Sequence, residues 1–414
     1  MTIGIGGSDA TTQLAKLADV CADVKPIEIE EFELRINRAQ QLMKQQNIAA
    51  IYLNAGSNLF YFTGTQWHSS ERMVGAILPA TGSIVYIAPF FERGTILQFM
   101  GVEAEIVSWQ EHQSPYLLFC QTLHSLGIDR GDIGIDEATP FFISNGIATT
   151  SEQYNLVSAQ NVTATCRSVK SIAELALMQK AKDITLVVQR AVASILREGI
   201  STQEVTDFID TAHRKMGALK GSYFCIVLFG VDSSFPHGVK EAKRLEINDM
   251  VLIDTGCVVE NYISDITRSY VFGEPNERQR RLWQVEKNAQ QAAFVAAKLN
   301  HPCADVDIAA RAYLASQGFG PDYQTPGCPH RTGHGIGLDI HEWPYLNRAD
   351  KTLLQPGMCF SNEPMLVVPN EFGIRLEDHF FMDEVGPVWF TQPSESIDNP
   401  LNYPLGSPLT NQNT

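Results

Sequence analysis

The amino-acid sequence predicts a two-domain protein of mixed α/β (α+β) class, and three observations carry that expectation. Between Glu28 and about Ala159 short apolar runs alternate with helical stretches. Near residue 165 the organisation changes, and a long helical segment opens with its own start signal. Beyond it, long helices enclose pairs of strongly apolar strands. A chain of 414 residues is long enough for two cores of ordinary size. The expected division is an N-terminal arm over 1–27, a smaller α/β domain over 28–163, a larger domain over 164–402 and a C-terminal tail over 403–414.

In chain order, "MTIGIGGSDATTQLAKLADVCADV" lacks a basic start, and Asp9, Lys16, Asp19 and Asp23 interrupt its apolar content, so it reads as a frayed arm, not a signal segment. The first domain follows, with helix "IEEFELRINRAQQLMKQQN", strands "AAIYLN", "VGAILPA" and "SIVYIAP", helix "PYLLFCQTLHSLG" and strand "DIGIDE". In the second, Ser171 and Glu174 form an S-x-x-E capping box, each side chain satisfying a backbone N–H that the first helical turn leaves unpaired. Helices are expected over 171–198, 202–217, 277–299 and about 304–317. Two hairpins lie among them, "DMVLIDTGCVVENYISDITRSYVFG" turning near Gly256 to Asn261 and "MCFSNEPMLVVPNEFGIRLEDHFFM" turning at "PNEFG".

Composition narrows the function. With 44% hydrophobic and 9% aromatic residues the chain reads as soluble and globular, and no run approaches the roughly 18 to 20 apolar residues of a membrane span. Its 31 basic against 47 acidic side chains give a formal charge of −16, a field that repels nucleic acid and anionic lipid. Eight cysteines without CxxC pairs, several in apolar runs, read as buried thiols of a cytoplasmic protein.

The hairpins carry the chemistry. Asp254 is expected in the first strand of one and Asp265 in its second, with Glu363 and Glu377 in the equivalent places of the other. A carboxylate ending an apolar run such as "MVLID" is costly to bury unless a cation compensates it. Four carboxylates and one neutral imidazole would balance two divalent ions, and such oxygen-rich ligands suit Mn²⁺, Co²⁺, Fe²⁺ or Zn²⁺ better than a structural zinc site. Taken singly, Asp254 could open a turn and Glu377 could pair with Arg375; the joint pattern argues for metal.

"DTG" followed by "SDITRS", "GHGIGLDIHE", "NEP" and "IRLED" resembles the signature of the pita-bread metallopeptidases, which include prolidase, aminopeptidase P, methionine aminopeptidase and creatinase. The resemblance covers nearly the whole chain and implies a creatinase-like N-terminal domain before a pita-bread catalytic domain. It implies that Asp254 binds one metal, that Asp265 and Glu377 bridge two, and that His334 and Glu363 complete the shells, Glu363 also serving as acid and base. His237, His330 and His341 match the family's substrate-holding and proton-shuttling histidines, and Arg375 its supporting arginine. The cofactor implied is a pair of divalent ions, Mn²⁺ first, with Co²⁺, Zn²⁺ or Fe²⁺ as alternatives; the substrate is a peptide with proline second, and homodimers are common in the family.

Other chemistries fit less well. His330 and His334 have the spacing of a helical zinc pair, but Arg331 stands where HExxH needs glutamate and Gly333, Gly335 and Gly337 disfavour a helix. "GHGIG" is too compact for a dinucleotide fingerprint, and no GxSxG elbow supports a serine hydrolase. A metal-free creatinase-like hydrolase, a pita-bread hydrolase or lyase of a small osmolyte such as an ectoine derivative, and an inactive binding protein remain as alternatives. Met365 after "NEP", where the family commonly has glycine, either narrows the pocket or repacks it, and Trp343 is larger than its usual counterpart. His68, His112, His124, His213, His301 and His379 read as ordinary surface or core residues.

Overall fold

The computed structural model describes residues 2–404, in two compact units. One, Pro26–Arg167, is built on a six-stranded sheet in the spatial order Glu105–Trp109, Val85–Pro89, Gly75–Pro79, Ile48–Asn54, Gly131–Ile135 and Tyr154–Ser158. Ile48–Asn54 is antiparallel to Gly75–Pro79 and parallel to Gly131–Ile135. Its core joins Tyr52, Ile77 and Ile87 of the strands to Phe119, Leu123 and Ile143 of the helices. The two edge strands are absent from the sequence reading because "EIVSW" and "YNLVS" are short and only partly buried, leaving a weak apolar signal.

The second unit comprises residues 2–25 and 168–404. Its N-terminal segment is not frayed: Gly6 and Ser8 donate backbone hydrogen bonds to Ala193 and Ser194, Ile3 donates to Asp398, and helix Ala10–Ala15 packs on helix Ile172–Ile195. Partners distant in sequence order it, which local composition does not reveal. Residues 405–414, most of the expected tail, lie outside the described residues.

Both Ser171–Glu174 and Ser201–Glu204 form complete capping boxes, opening helices Ile172–Ile195 and Thr202–Lys215. Helices Glu277–Ala296 and Cys303–Ser316 follow. Strand Met250–Val259 lies between Ser222–Phe229 and Ile266–Val271, antiparallel to both. The second expected hairpin is two ladders: Met365–Val368 pairs with Phe372–Arg375, while Cys359–Asn362 pairs with Asp378–Met382 in a separate five-stranded sheet. The chain therefore passes from one ladder to the other at Glu363–Pro364 and back again at Leu376–Glu377. All eight cysteines are free thiols, and no helix among the described residues is long and apolar enough to cross a membrane.

Candidate metal centre

Asp254 is held within strand Met250–Val259, where it faces Ile226 on one side and Thr267 on the other. Directly opposed residues of an antiparallel pair project to the same face, so the three form one row. Asp265 is not in a strand as expected; it occupies the break between Tyr262–Ile263 and Ile266–Val271. Gly256 permits that break, since a β-carbon there would lie 1.6 Å from the carbonyl oxygen of Ser264. The Ser264 hydroxyl accepts from the Cys257 N–H at 2.9 Å and meets the Thr185 hydroxyl at 2.8 Å. A network under the sheet thus fixes the backbone beside Asp265.

His334 lies in the short strand Gly333–Gly335 and is 1% exposed. The flanking glycines are needed for close passage: a β-carbon on Gly333 would stand 2.1 Å from the Ser361 carbonyl and one on Gly335 2.7 Å from that of Glu342. His334 Nδ1 is 2.9 Å from the Gly335 carbonyl oxygen, an acceptor only, so Nδ1 carries the proton and Nε2 is turned inward. Nε2 lies 3.0 Å from Glu363 Oε1 and 3.8 Å from Asp265 Oδ2. Ser361 Oγ accepts from the His334 N–H at 2.9 Å and lies 3.1 Å from Glu363 Oε1.

Asp265, His334 and Glu377 each offer a ligand atom, all within 4.8 Å of one another. Glu363 joins this group through His334, and Asp254 borders it. Thr267 Oγ1 donates to Glu377 Oε2 at 2.8 Å. Arg375 pairs not with Glu377 but with Asp254, Nη2 to Oδ2 at 2.5 Å, and also donates to Thr267 Oγ1 and the Pro236 carbonyl. Three buried carboxylate oxygens, Asp254 Oδ1, Asp265 Oδ1 and Glu377 Oε1, have no hydrogen-bond partner. Orphaned anionic oxygens converging beside an imidazole nitrogen are the donor set a divalent cation requires.

Electrostatics follow from that crowding. Burial, then the charges of Glu377, Asp254 and Glu363, push the Asp265 carboxyl well above its ordinary range. Burial, Glu363 and Asp254 do the same to Glu377. Burial works in that direction on Glu363 too, but His334, His330 and Arg375 outweigh it and hold the carboxyl below its usual range. Neighbouring carboxylates driven apart in this way are a familiar mark of a reactive site.

His330 lies on the same segment, its buried Nε2 without a partner, and burial lowers it from the ordinary imidazole range. His341 is exposed, its ring edge-on to His334 with centroids 4.3 Å apart. His237 is exposed too, one residue beyond the carbonyl that Arg375 holds, and lines a cleft with Thr206, Ile226, Leu228 and Asp232. Met365 does not narrow this region. It is fully buried with Leu228, Leu252 and Val367, and its sulfur sits 3.9 Å from Arg375 Nη1.

Sequence reasoning missed the supports. Ser361 and Thr267 hold the acids. Asp307 binds the Thr332 N–H and hydroxyl and pairs with Arg311, which donates to the carbonyls of Cys328 and His330. Glu342 accepts from the N–H groups of Leu338 and Asp339 and from Lys170 at 2.9 Å. Arg311 four residues after Asp307 in an apolar helix was the one local signal available. His379, read as satisfied in the core, is fully buried but has neither ring nitrogen hydrogen-bonded; Nε2 stands 3.6 Å from Glu377 Oε1.

Residues 176–384 match the profile of metallopeptidase family M24, and 35–169 that of the creatinase/prolidase N-terminal domain. The chain belongs to metallopeptidase family M24. It is 31% identical over 365 residues to the "Putative dipeptidase YkvY" of Bacillus subtilis (strain 168), across 86% of this chain and 97% of that protein. The M24 fold is shared with the dipeptidase PepE from Mycobacterium ulcerans, at 27% identity and TM-score 0.79 over 89% and 97% of the two chains. An Xaa-Pro dipeptidase from Bacillus anthracis matches at 26% and 0.77 over 87% and 98%. The protein is thus an M24 hydrolase with a creatinase-like N-terminal domain before a pita-bread domain, its chemistry metal-dependent peptide hydrolysis.

Proposed function

We propose that this M24 hydrolase cleaves the amide bond between an N-terminal residue and a following proline, using two divalent ions, Mn²⁺ by preference. The observation that carries the reading is the buried convergence of Asp265, His334 and Glu377 with their orphaned oxygens. The names of similar structures, an Xaa-Pro dipeptidase and a dipeptidase, support the substrate class.

In this reading Asp254, Asp265, His334, Glu363 and Glu377 would hold the two ions. Ions bound there would supply Lewis-acid activation of a water and of the scissile carbonyl. The chain's own groups do the rest. Glu363 Oε1, steadied by the Ser361 hydroxyl, accepts the proton of the attacking water and delivers it to the departing nitrogen. His330 offers its unpartnered Nε2 to substrate, and His341 and His237 approach from the exposed side. Arg375 holds the Asp254 carboxylate in place through its Nη2 contact. A proline imide lacks N–H and has φ locked by its ring, so recognition falls to the free amino end and to shape, for which the cleft at Ile226 and His237 provides the wall.

Bound metal per subunit is measured, and Xaa-Pro dipeptides, an Xaa-Pro-Xaa tripeptide and creatine are assayed with and without Mn²⁺. Hydrolysis of the Xaa-Pro bond by the metal-loaded protein is expected. If every Xaa-Pro bond survives, the reading is wrong; cleavage of the tripeptide alone assigns an aminopeptidase in place of a dipeptidase.

A further inference from the structure

Two of the residues that converge on the metal centre come from different sheets. Asp265 precedes strand Ile266–Val271 and Glu377 precedes strand Asp378–Met382, and no ladder pairs those strands among the described residues. Their ligand atoms nevertheless lie within 4.8 Å of each other and of His334, so something must register one strand against the other. A buried ion pair spans that seam. Arg268 is 1% exposed and Asp378 0% exposed, and Arg268 Nη2 donates to Asp378 Oδ1 at 2.7 Å.

The guanidinium does more than neutralise its partner. Arg268 Nη1 donates to the Glu377 carbonyl at 2.9 Å and to the Thr267 carbonyl at 3.0 Å. One planar fork thus grips main-chain atoms on both sides of the seam. The Glu377 N–H crosses the same seam to the Thr267 carbonyl at 3.1 Å. Asp378 is itself held, Oδ1 by the Thr391 hydroxyl at 3.0 Å and Oδ2 by Gln290 Nε2 at 3.2 Å. Arg268 opposes Ile253 in the ladder as Thr267 opposes Asp254, so its side chain leaves the strand on the face opposite to that of Asp254. It therefore reaches Glu377 through the backbone and not through the carboxylate.

Stability alone accounts poorly for such a pair, because desolvation of two charges offsets most of their attraction and apolar replacements of similar volume are often as stable. Direction accounts for it better. Fixing the Glu377 carbonyl fixes the peptide plane beside which its side chain departs, and the Thr267 hydroxyl then holds the carboxylate at 2.8 Å. We infer that Arg268 and Asp378 are positioning residues that clamp the two strands in register and set the spacing between the Asp265 and Glu377 carboxylates. This rests on the metal reading above.

Metal-free wild type, Arg268→Lys and the double variant Arg268→Met with Asp378→Leu are titrated with Mn²⁺, free Mn²⁺ being followed by electron paramagnetic resonance. Urea unfolding of the metal-free proteins reports stability. The double variant removes both charges and is expected to keep the wild-type urea midpoint while holding Mn²⁺ at least about tenfold more weakly. Arg268→Lys keeps the charge and loses the fork, and the same weakening is expected in it, so the comparison survives a double variant that does not fold. Wild-type Mn²⁺ affinity in either folded variant would overturn the positioning role while leaving the metal centre standing. Wild type that binds no Mn²⁺ would overturn the metal reading, and this inference with it.

Discussion

The carbonyl oxygen of Ser264 passes over Gly256 where a β-carbon would sit, at 1.6 Å. That approach lets the chain leave the ladder for two residues and return, and Asp265 is presented toward Glu377 and His334 from the gap. Gly256→Ala must push strand and break apart. Loss of bound metal and destabilisation of about 3 kcal/mol or more are expected, read by metal analysis and urea unfolding. Wild-type metal content in the Gly256→Ala protein would show that the break tolerates a side chain.

Arg375 is the sole cation hydrogen-bonded to the buried Asp254 among the described residues. Removing it leaves an uncompensated carboxylate, so Arg375→Met should cost about 3–5 kcal/mol. Adding Asp254→Leu should recover much of that loss while abolishing activity. A double variant no more stable than the single one would place the damage in packing against Met365.

Ser361 ties the His334 backbone to Glu363 with one hydroxyl. Ser361→Ala should lower kcat/KM by roughly 10- to 100-fold through loosened ligands, and stability by only about 1–2 kcal/mol. The comparison is between kinetics and chemical denaturation on the same preparation. Equal kcat/KM would mean that the strand alone positions both groups.

His213 supplies a pH dependence away from the metal ligands. It is fully buried, meets Ser222 Oγ at 2.9 Å, and is lowered to about 4 by burial, against the pull of Asp210. Between that value and the ordinary imidazole value of about 6.5 the unfolded chain binds the proton and the folded chain does not. Stability therefore rises with pH across this window and is lost as pH falls from about 6.5 toward 4. In the metal-free protein His213→Asn should flatten that slope, by up to about 3 kcal/mol between the ends. A slope identical to wild type in urea melts at several pH values would assign it to other groups.

Much of this molecule is legible before folding. Ser171 and Glu174 announce a helix because the cap is a local contact, completed within one turn. The acids at 254, 265, 363 and 377 stand out because carboxylates in apolar runs violate the ordinary pattern of burial. Two errors share a cause. Sequence reasoning places Asp265 in a strand and residues 1–27 in a frayed arm, and both are set by contacts that sequence separates: Ser264 with Thr185, and Gly6 and Ser8 with Ala193 and Ser194.

By itself the sequence determined the two-domain α/β class, the helix starts and the kinds of ligand available, since these follow from periodicity, caps and side-chain chemistry within a few residues. Only the tertiary structure decided which groups meet. Arg375 could have paired with its neighbour Glu377, and folding gave it Asp254. Met365 could have filled the pocket, and it is buried with its sulfur against Arg375. Lys182, an ordinary residue of a helix in sequence, became fully buried with its amine over the ring of Phe390. Charge interactions act through space at a strength set by burial, and neither distance nor burial is written along the chain.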